Sequence, residues 1–247
     1  MIIVKSESDL DRMRVSGKMA ARVRDKVVEC ISPGVTTAAV ADYAGELIGE
    51  MGGESAFLGY RGYPGQICVS VNEVVVHGIP GSRRIELGDI VSVDIGVRYD
   101  GFVGDTATTV MVGVTDQRVI SLVRATERAL EAGIAKAGEG HRVSDISHAI
   151  ESEAVDSGYS VVRDFVGHGI GRSMHEEPQI PNFGRPGRGS GLKKGMTLAL
   201  EPMVNMGAAG VVVEEDGWTV RTEDREPSAH FEHTVAVTGG AAEILTL

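Results

Sequence analysis

Ile90-Val91-Ser92-Val93-Asp94-Ile95-Gly96-Val97-Arg98-Tyr99-Asp100-Gly101-Phe102-Val103-Gly104-Asp105-Thr106 decides the fold. From Val91 to Tyr99 the residues alternate in the two-residue period of a strand, so Ser92 and Asp94 share the face opposite Val91, Val93 and Ile95. Asp100-Gly101 is a hairpin signal, because both residues tolerate the positive φ that a tight turn needs. A second strand is expected over 106–114. Asp94 and Asp105 lie either side of the turn and are expected to face one another on adjacent strands. Like charges so placed are destabilising unless a cation lies between them.

Working outward, helical spacing starts at Ser6, with Asp9 in the first turn, and continues to Cys30 before Pro33-Gly34. A second helix starts at Thr36 or Thr37 and stops at Gly52-Gly53. Short strands are expected over 67–71 and 73–76. After Val114 the plan repeats, with helices over 115–136 and 144–155 and strands over 160–165, 197–204, 211–214 and 231–237. Leu87-Gly88-Asp89-Ile90 through Asp94 has the shape of Lys194-Gly195-Met196-Thr197 through Glu201. His77-Gly78-Ile79 has the shape of His168-Gly169-Ile170. Two matches in the same order, each behind a helix pair, imply an α+β fold of two related halves, about 6–114 and 115–247, in a single domain over 1–247.

Composition narrows the chemistry. The 247 residues are 42% hydrophobic and 24% charged, and 35 acidic against 24 basic residues give a net charge of −11. A general polyanion binder needs the opposite balance, so no DNA partner is expected. Cys30 and Cys68 form no CxxC pair, and a reduced, cytoplasmic protein is expected. No secretory pattern opens the chain, and no run of about 18 apolar residues suggests a membrane span.

The strands carry a donor set. Asp94, Asp105, Glu201, Glu232 and His168 all sit in or beside strand patterns. Taken singly, each has a plainer reading as turn, solvated strand or surface-loop residue, with the small neighbours of His168 leaving its ring accessible. Jointly, four carboxylates and one imidazole suit a pair of divalent ions such as Co, Mn, Fe or Zn better than a closed structural zinc. Two such ions about 3.5–4 Å apart polarise a carbonyl and supply hydroxide at neutral pH.

Asn72-Glu73-Val74-Val75-Val76-His77-Gly78-Ile79-Pro80, Asp94-Ile95-Gly96, Gly104-Asp105-Thr106, Gly167-His168-Gly169-Ile170-Gly171, His175-Glu176-Glu177-Pro178, Leu200-Glu201-Pro202-Met203 and Phe231-Glu232-His233-Thr234 resemble the motifs of type I methionine aminopeptidases, in order and along nearly the whole chain. The resemblance implies the pita-bread fold, two pseudo-two-fold-related halves with antiparallel sheet around a dinuclear metal site, and hydrolytic removal of the initiator methionine from nascent chains. It implies that Asp94, Asp105, His168, Glu201 and Glu232 are the metal ligands, with Asp105 and Glu232 bridging. It further implies that His175 stabilises the oxyanion, His77 hydrogen-bonds substrate and Glu201 shuttles a proton. Surface or packing roles are expected for His141, His148, His230 and His233.

Phe57, Tyr60, Tyr63, Cys68, Met174 and Trp218 are placed by the same resemblance around the methionine side chain. Phe57 stands where a small residue is usual and Met174 where Phe is usual, a pair of departures that leaves the pocket volume similar. Another departure is the stretch before Asp216-Gly217-Trp218, which reads Gly207-Ala208-Ala209-Gly210-Val211-Val212-Val213-Glu214-Glu215 and lacks the lysines some relatives carry. Transient ribosome contact would then fall to the loop over 181–195 with Arg185, Arg188, Lys193 and Lys194, against the plainer reading of a solvated loop. A monomer is expected. The rival readings are a proline-directed peptidase of the same fold, which usually adds an N-terminal domain, and a non-catalytic binding protein, which would have lost ligands.

Overall fold

The computed structural model describes residues 1–247. Ser6 caps the first helix, α1 (Glu7–Cys30), through a capping box in which its hydroxyl accepts from the Asp9 N–H and the Asp9 carboxylate accepts from the Ser6 N–H. Thr36 caps α2 (Thr37–Glu50). In the second half Asp116 caps α3 (Gln117–Ile134), and α4 follows (Val143–Asp156). Each helix pair lies on its own core. One unites Val23, Ala44 and Ile48 with Val91, Val93 and Ile95. The other unites Leu122, Ile146 and Ile150 with Leu198, Leu200 and Val235.

Between them runs one nine-stranded antiparallel sheet, ordered Glu54–Ser55, Ile90–Tyr99, Phe102–Met111, Glu232–Ala236, Thr197–Leu200, Val166–Gly169 and Glu176–Pro181. Cys68–Val71 also pairs with Ile90–Tyr99, and Glu243–Ile244 with Glu232–Ala236. The two halves meet where Phe102–Met111 pairs with Glu232–Ala236. Their echo reaches the backbone: Gly88 and Gly195 both adopt left-handed φ, at 98° and 90°, two residues before the strands starting at Ile90 and Thr197.

Several expected boundaries move. The strand expected over 106–114 is Phe102–Met111, because the hairpin is so tight that Tyr99 already pairs with Phe102. The strand expected over 160–165 stops at Val161, and the one over 197–204 is divided by Glu201-Pro202 into Thr197–Leu200 and Met203–Asn205. Proline lacks the N–H a ladder needs there. Val166–Gly169, Glu176–Pro181, Val220–Thr222 and Ser228–His230 are strands without a predicted counterpart.

Candidate metal centre and substrate cavity

The sheet register gathers the carboxylates. Asp94 pairs with Ala107, and Ala107 on its other side pairs with Glu232, so two acids flank one small side chain on a single face. Asp105 opposes Gly96 and not Asp94. It reaches Asp94 diagonally, two residues along the ladder, rather than from directly across as the sequence spacing suggests. His168 pairs with Ala199, again a small neighbour. Glu201 follows directly on the strand Thr197–Leu200 and is freed from the ladder by Pro202. Ligand-type side chains therefore alternate with Ala and Gly, which leaves space above the sheet.

His168 is a buried strand residue, 5% exposed, not the accessible loop residue its glycine neighbours suggest. Its Nδ1 lies 2.8 Å from the Gly169 carbonyl oxygen, which can only accept. The proton therefore sits on Nδ1, and Nε2 turns its lone pair toward Glu201 Oε1 at 3.5 Å and Asp105 Oδ2 at 4.0 Å. Burial, with the His175 ring beside it, lowers the His168 pKa to about 3, so the ring stays neutral.

The acids are pushed the other way. Burial raises Asp94 to about 7, and burial with neighbouring carboxylates raises Asp105 and Glu232 well above the ordinary range. Burial and Asp94 do the same to Glu201. Asp94 Oδ1, Asp105 Oδ1 and Glu232 Oε1 are buried with no hydrogen-bond partner. Ligand atoms of Asp105, His168 and Glu232 lie within 4.8 Å of one another. Crowded, partnerless carboxylate oxygens beside an imidazole lone pair are the donor set that divalent cations satisfy, so the residues fit the metal that the sequence implies.

The same residues floor a cavity of about 290 Å³. All thirteen sequence-predicted site residues line it, including Phe57, Tyr60, Tyr63, Cys68, Met174 and Trp218. Trp218 meets the Tyr63 ring edge-on at 5.2 Å, and the Tyr63 hydroxyl donates to the Gly78 carbonyl at 2.9 Å. His77, held at φ 58°, stands edge-on to Phe165 and Trp218. Burial, then His175, lowers its pKa to about 4. His175 stacks on Tyr60, shares a 2.8 Å hydrogen bond between Nδ1 and the Tyr60 hydroxyl, and lies 4.3 Å from the His168 ring. Burial, then the Arg61 cation, lowers its pKa as well.

Sequence reasoning missed part of the wall. Arg61, Asp164, Phe165 and Val166 also line the cavity. His230, expected to be a packing or surface residue, is 1% exposed with a partnerless Nε2 only 4.0 Å from Glu201 Oε2. Alternation was the available signal, since His230 stands two residues before Glu232. His141 is an ordinary surface residue 3.7 Å from Asp145.

Known proteins resemble this chain along nearly its whole length. The model of "Metallopeptidase family M24" matches residues 11–239. A methionine aminopeptidase of Clostridium perfringens is 48% identical over 247 residues, covering 100% of this chain and 99% of the relative. The crystal structure of a methionine aminopeptidase from Thermotoga maritima superposes with a TM-score of 0.98 at 48% identity, covering 100% and 99% of the two chains. A prolidase from Pyrococcus horikoshii OT3 shares the fold alone, at 21% identity and a TM-score of 0.81, and this chain covers 64% of it.

Proposed function

The chain belongs to metallopeptidase family M24, among the bacterial-type methionine aminopeptidases with the pita-bread fold, and within that activity we propose how its residues divide the work. Asp94, Asp105, His168, Glu201 and Glu232 would hold two divalent ions. When bound, that pair would supply Lewis acidity toward the scissile carbonyl and a nucleophile near neutral pH. Co, Mn, Fe and Zn all suit the donors, and availability selects among them.

The protein's own groups do the rest. With the Tyr60 hydroxyl 2.8 Å from His175 Nδ1, the Tyr60 proton would go to Nδ1, which would leave the Nε2 proton free to donate to the oxyanion that develops on the carbonyl oxygen. His77 would hydrogen-bond the substrate backbone. Glu201, with a raised pKa, would move a proton to the departing amine. Phe57, Tyr60, Tyr63, Cys68, Met174 and Trp218 would enclose the methionine side chain, and a small second residue would be preferred, as the family resemblance implies. The whole chain acts as one catalytic domain, a cytoplasmic monomer working on nascent chains. The loop over 181–195, exposed at Arg185, Arg188, Lys193 and Lys194, would touch the ribosome transiently. No helix is long and apolar enough to cross a membrane.

One observation carries this reading: the partnerless carboxylates and the apolar wall line the same cavity. Hydrolysis of Met-Ala-Ser is expected, with no cleavage of an Ala-Pro substrate, and a chelator should stop it. Cleavage of Ala-Pro instead would make the protein a proline-directed peptidase, and cleavage of neither would make it a binding protein.

The pocket wall gives a second test. Phe57 fits because Gly96, two residues after Asp94, has no Cβ: one placed there would lie 2.6 Å from Phe57 Cε1. Gly96→Ala is expected to tip the ring into the cavity and raise KM for Met-Ala-Ser by about tenfold, with metal content unchanged. An unaltered KM would remove Phe57 from the pocket wall.

A further inference from the structure

Lys5 inverts the pattern around it. Met1, Ile3, Val4 and Ser6 are exposed, yet the one charged residue among them is buried. Its ammonium lies 2.5 Å from Glu176 Oε2, and the two side chains are only 4% and 6% exposed. Burying a lysine and a glutamate is unfavourable unless each supplies what the other has lost from water. The backbone accommodates the pair on both sides. Lys5 N–H donates to the Gly195 carbonyl at 2.7 Å, and a Cβ on Gly195 would lie 2.8 Å from the Lys5 carbonyl oxygen. A Cβ on Gly171 would lie 2.6 Å from both Glu176 Oε1 and Lys5 Cε.

Glu176 also closes the loop that precedes it. Its Oε1 accepts from the Ser173 N–H at 3.3 Å, and the Gly171 N–H donates to the Ser173 carbonyl at 3.1 Å. That loop carries Met174 and His175 from the strand of His168 to the mouth of the cavity. The His175 ring is tied to the protein by one hydrogen bond, to Tyr60. Its backbone is held between Met174, buried in the core, and Glu176, whose carboxylate is anchored by a residue 171 positions away.

We propose that Lys5 is a positioning residue for the hydrolysis: through the buried ion pair with Glu176 the N-terminal segment acts as a strut that fixes His175 against the scissile carbonyl. The inference rests on the reading of His175 as the oxyanion donor. An error of about 1 Å in placing such a donor costs up to about 10²-fold in rate.

The test is a double-mutant cycle on kcat for Met-Ala-Ser, with KM and metal content per chain read alongside. His175→Ala is expected to lower kcat by about 10²-fold or more. Lys5→Met should lower kcat roughly tenfold with KM and metal content unchanged, and should do nothing further in the His175→Ala background. A merely structural role would lower kcat by the same factor in both backgrounds, and that result, or a Lys5→Met enzyme with parental kcat, overturns the proposal. If Lys5→Met does not fold, Glu176→Gln, which keeps the shape of the loop, is judged by the same criteria with a smaller loss expected. A His175→Ala enzyme with parental kcat would instead overturn the role of His175 itself, which separates the two failures.

Discussion

Asp105→Ala is expected to remove metal loading and turnover together, lowering kcat/KM by more than about 10³-fold. Asp105 lies on the central strand of the seam where the halves meet, diagonal to Asp94 and with Oδ2 facing His168 Nε2 at 4.0 Å. Its other oxygen has no partner in the protein. No neighbour replaces it, because the residues flanking the acids along the ladder are Ala107 and Gly96. Loss of folding would be a trivial route to the same result, and the structure argues against it. Burial and the charges of Asp94 and Glu201 push the Asp105 carboxyl well above its ordinary range, so in metal-free protein this group opposes folding at neutral pH. The metal-free variant should therefore melt no lower than the metal-free parent. Elemental analysis, a peptide assay and a melting curve on the same preparation decide the matter. Full activity with intact metal content would remove Asp105 from the ligand set.

Much of this site was legible in the sequence, for reasons that differ from residue to residue. Asp94 can be placed on its face because the strand around it alternates from Val91 to Tyr99 and ends in a turn with its own chemistry. The strand of Asp105 begins earlier than its local sequence suggests: Gly104 and Asp105 are poor strand formers, and only the ladder with Ile90–Tyr99 extends pairing back to Phe102. His168 shows the limit more sharply. Val-Gly-His-Gly reads locally as a loop, and it becomes a strand because Glu176–Pro181 and Thr197–Leu200 pair with it from either side. That same pairing buries the imidazole and fixes its tautomer. Lys5 was illegible altogether, since nothing near it in the chain announces burial and its partner is remote. Side-chain types and local periods are written in the sequence; registers between distant strands are not, and the diagonal of Asp94 and Asp105 is one of those registers.

Metal removal is expected to make stability fall with rising pH between 6.5 and 8.5, where metal-loaded protein holds steady. Burial raises Asp94 to about 7, and Asp105, Glu201 and Glu232 well above their usual range. In the unfolded chain these groups titrate near 4. A group raised on folding contributes stability that is complete below its unfolded pKa and is lost as pH climbs through its folded pKa. The buried histidines run the opposite way. Burial lowers His168 and His230 to about 3 and His77 and His233 to about 4, against about 6.5 unfolded. Their contribution is complete above about pH 6.5 and is lost only as pH falls toward 3 to 4. Above pH 6.5 the carboxyl groups are therefore the ones that change. One such group that keeps its proton in the fold while the unfolded chain is ionised costs about 3 kcal/mol across two pH units, or roughly 6–12 °C in Tm for a chain of this size. Bound cations would offset the decline, because the ligands must be deprotonated to bind and binding strengthens as pH rises. At a thousandfold excess over Kd the added stability is about 4 kcal/mol. Scanning calorimetry at pH 6.5, 7.5 and 8.5, with and without chelator, should show a gap in Tm that widens with pH. A constant gap would mean that the four carboxylates are already ionised in the metal-free fold, and the crowding from which the metal centre is inferred would then be absent in solution.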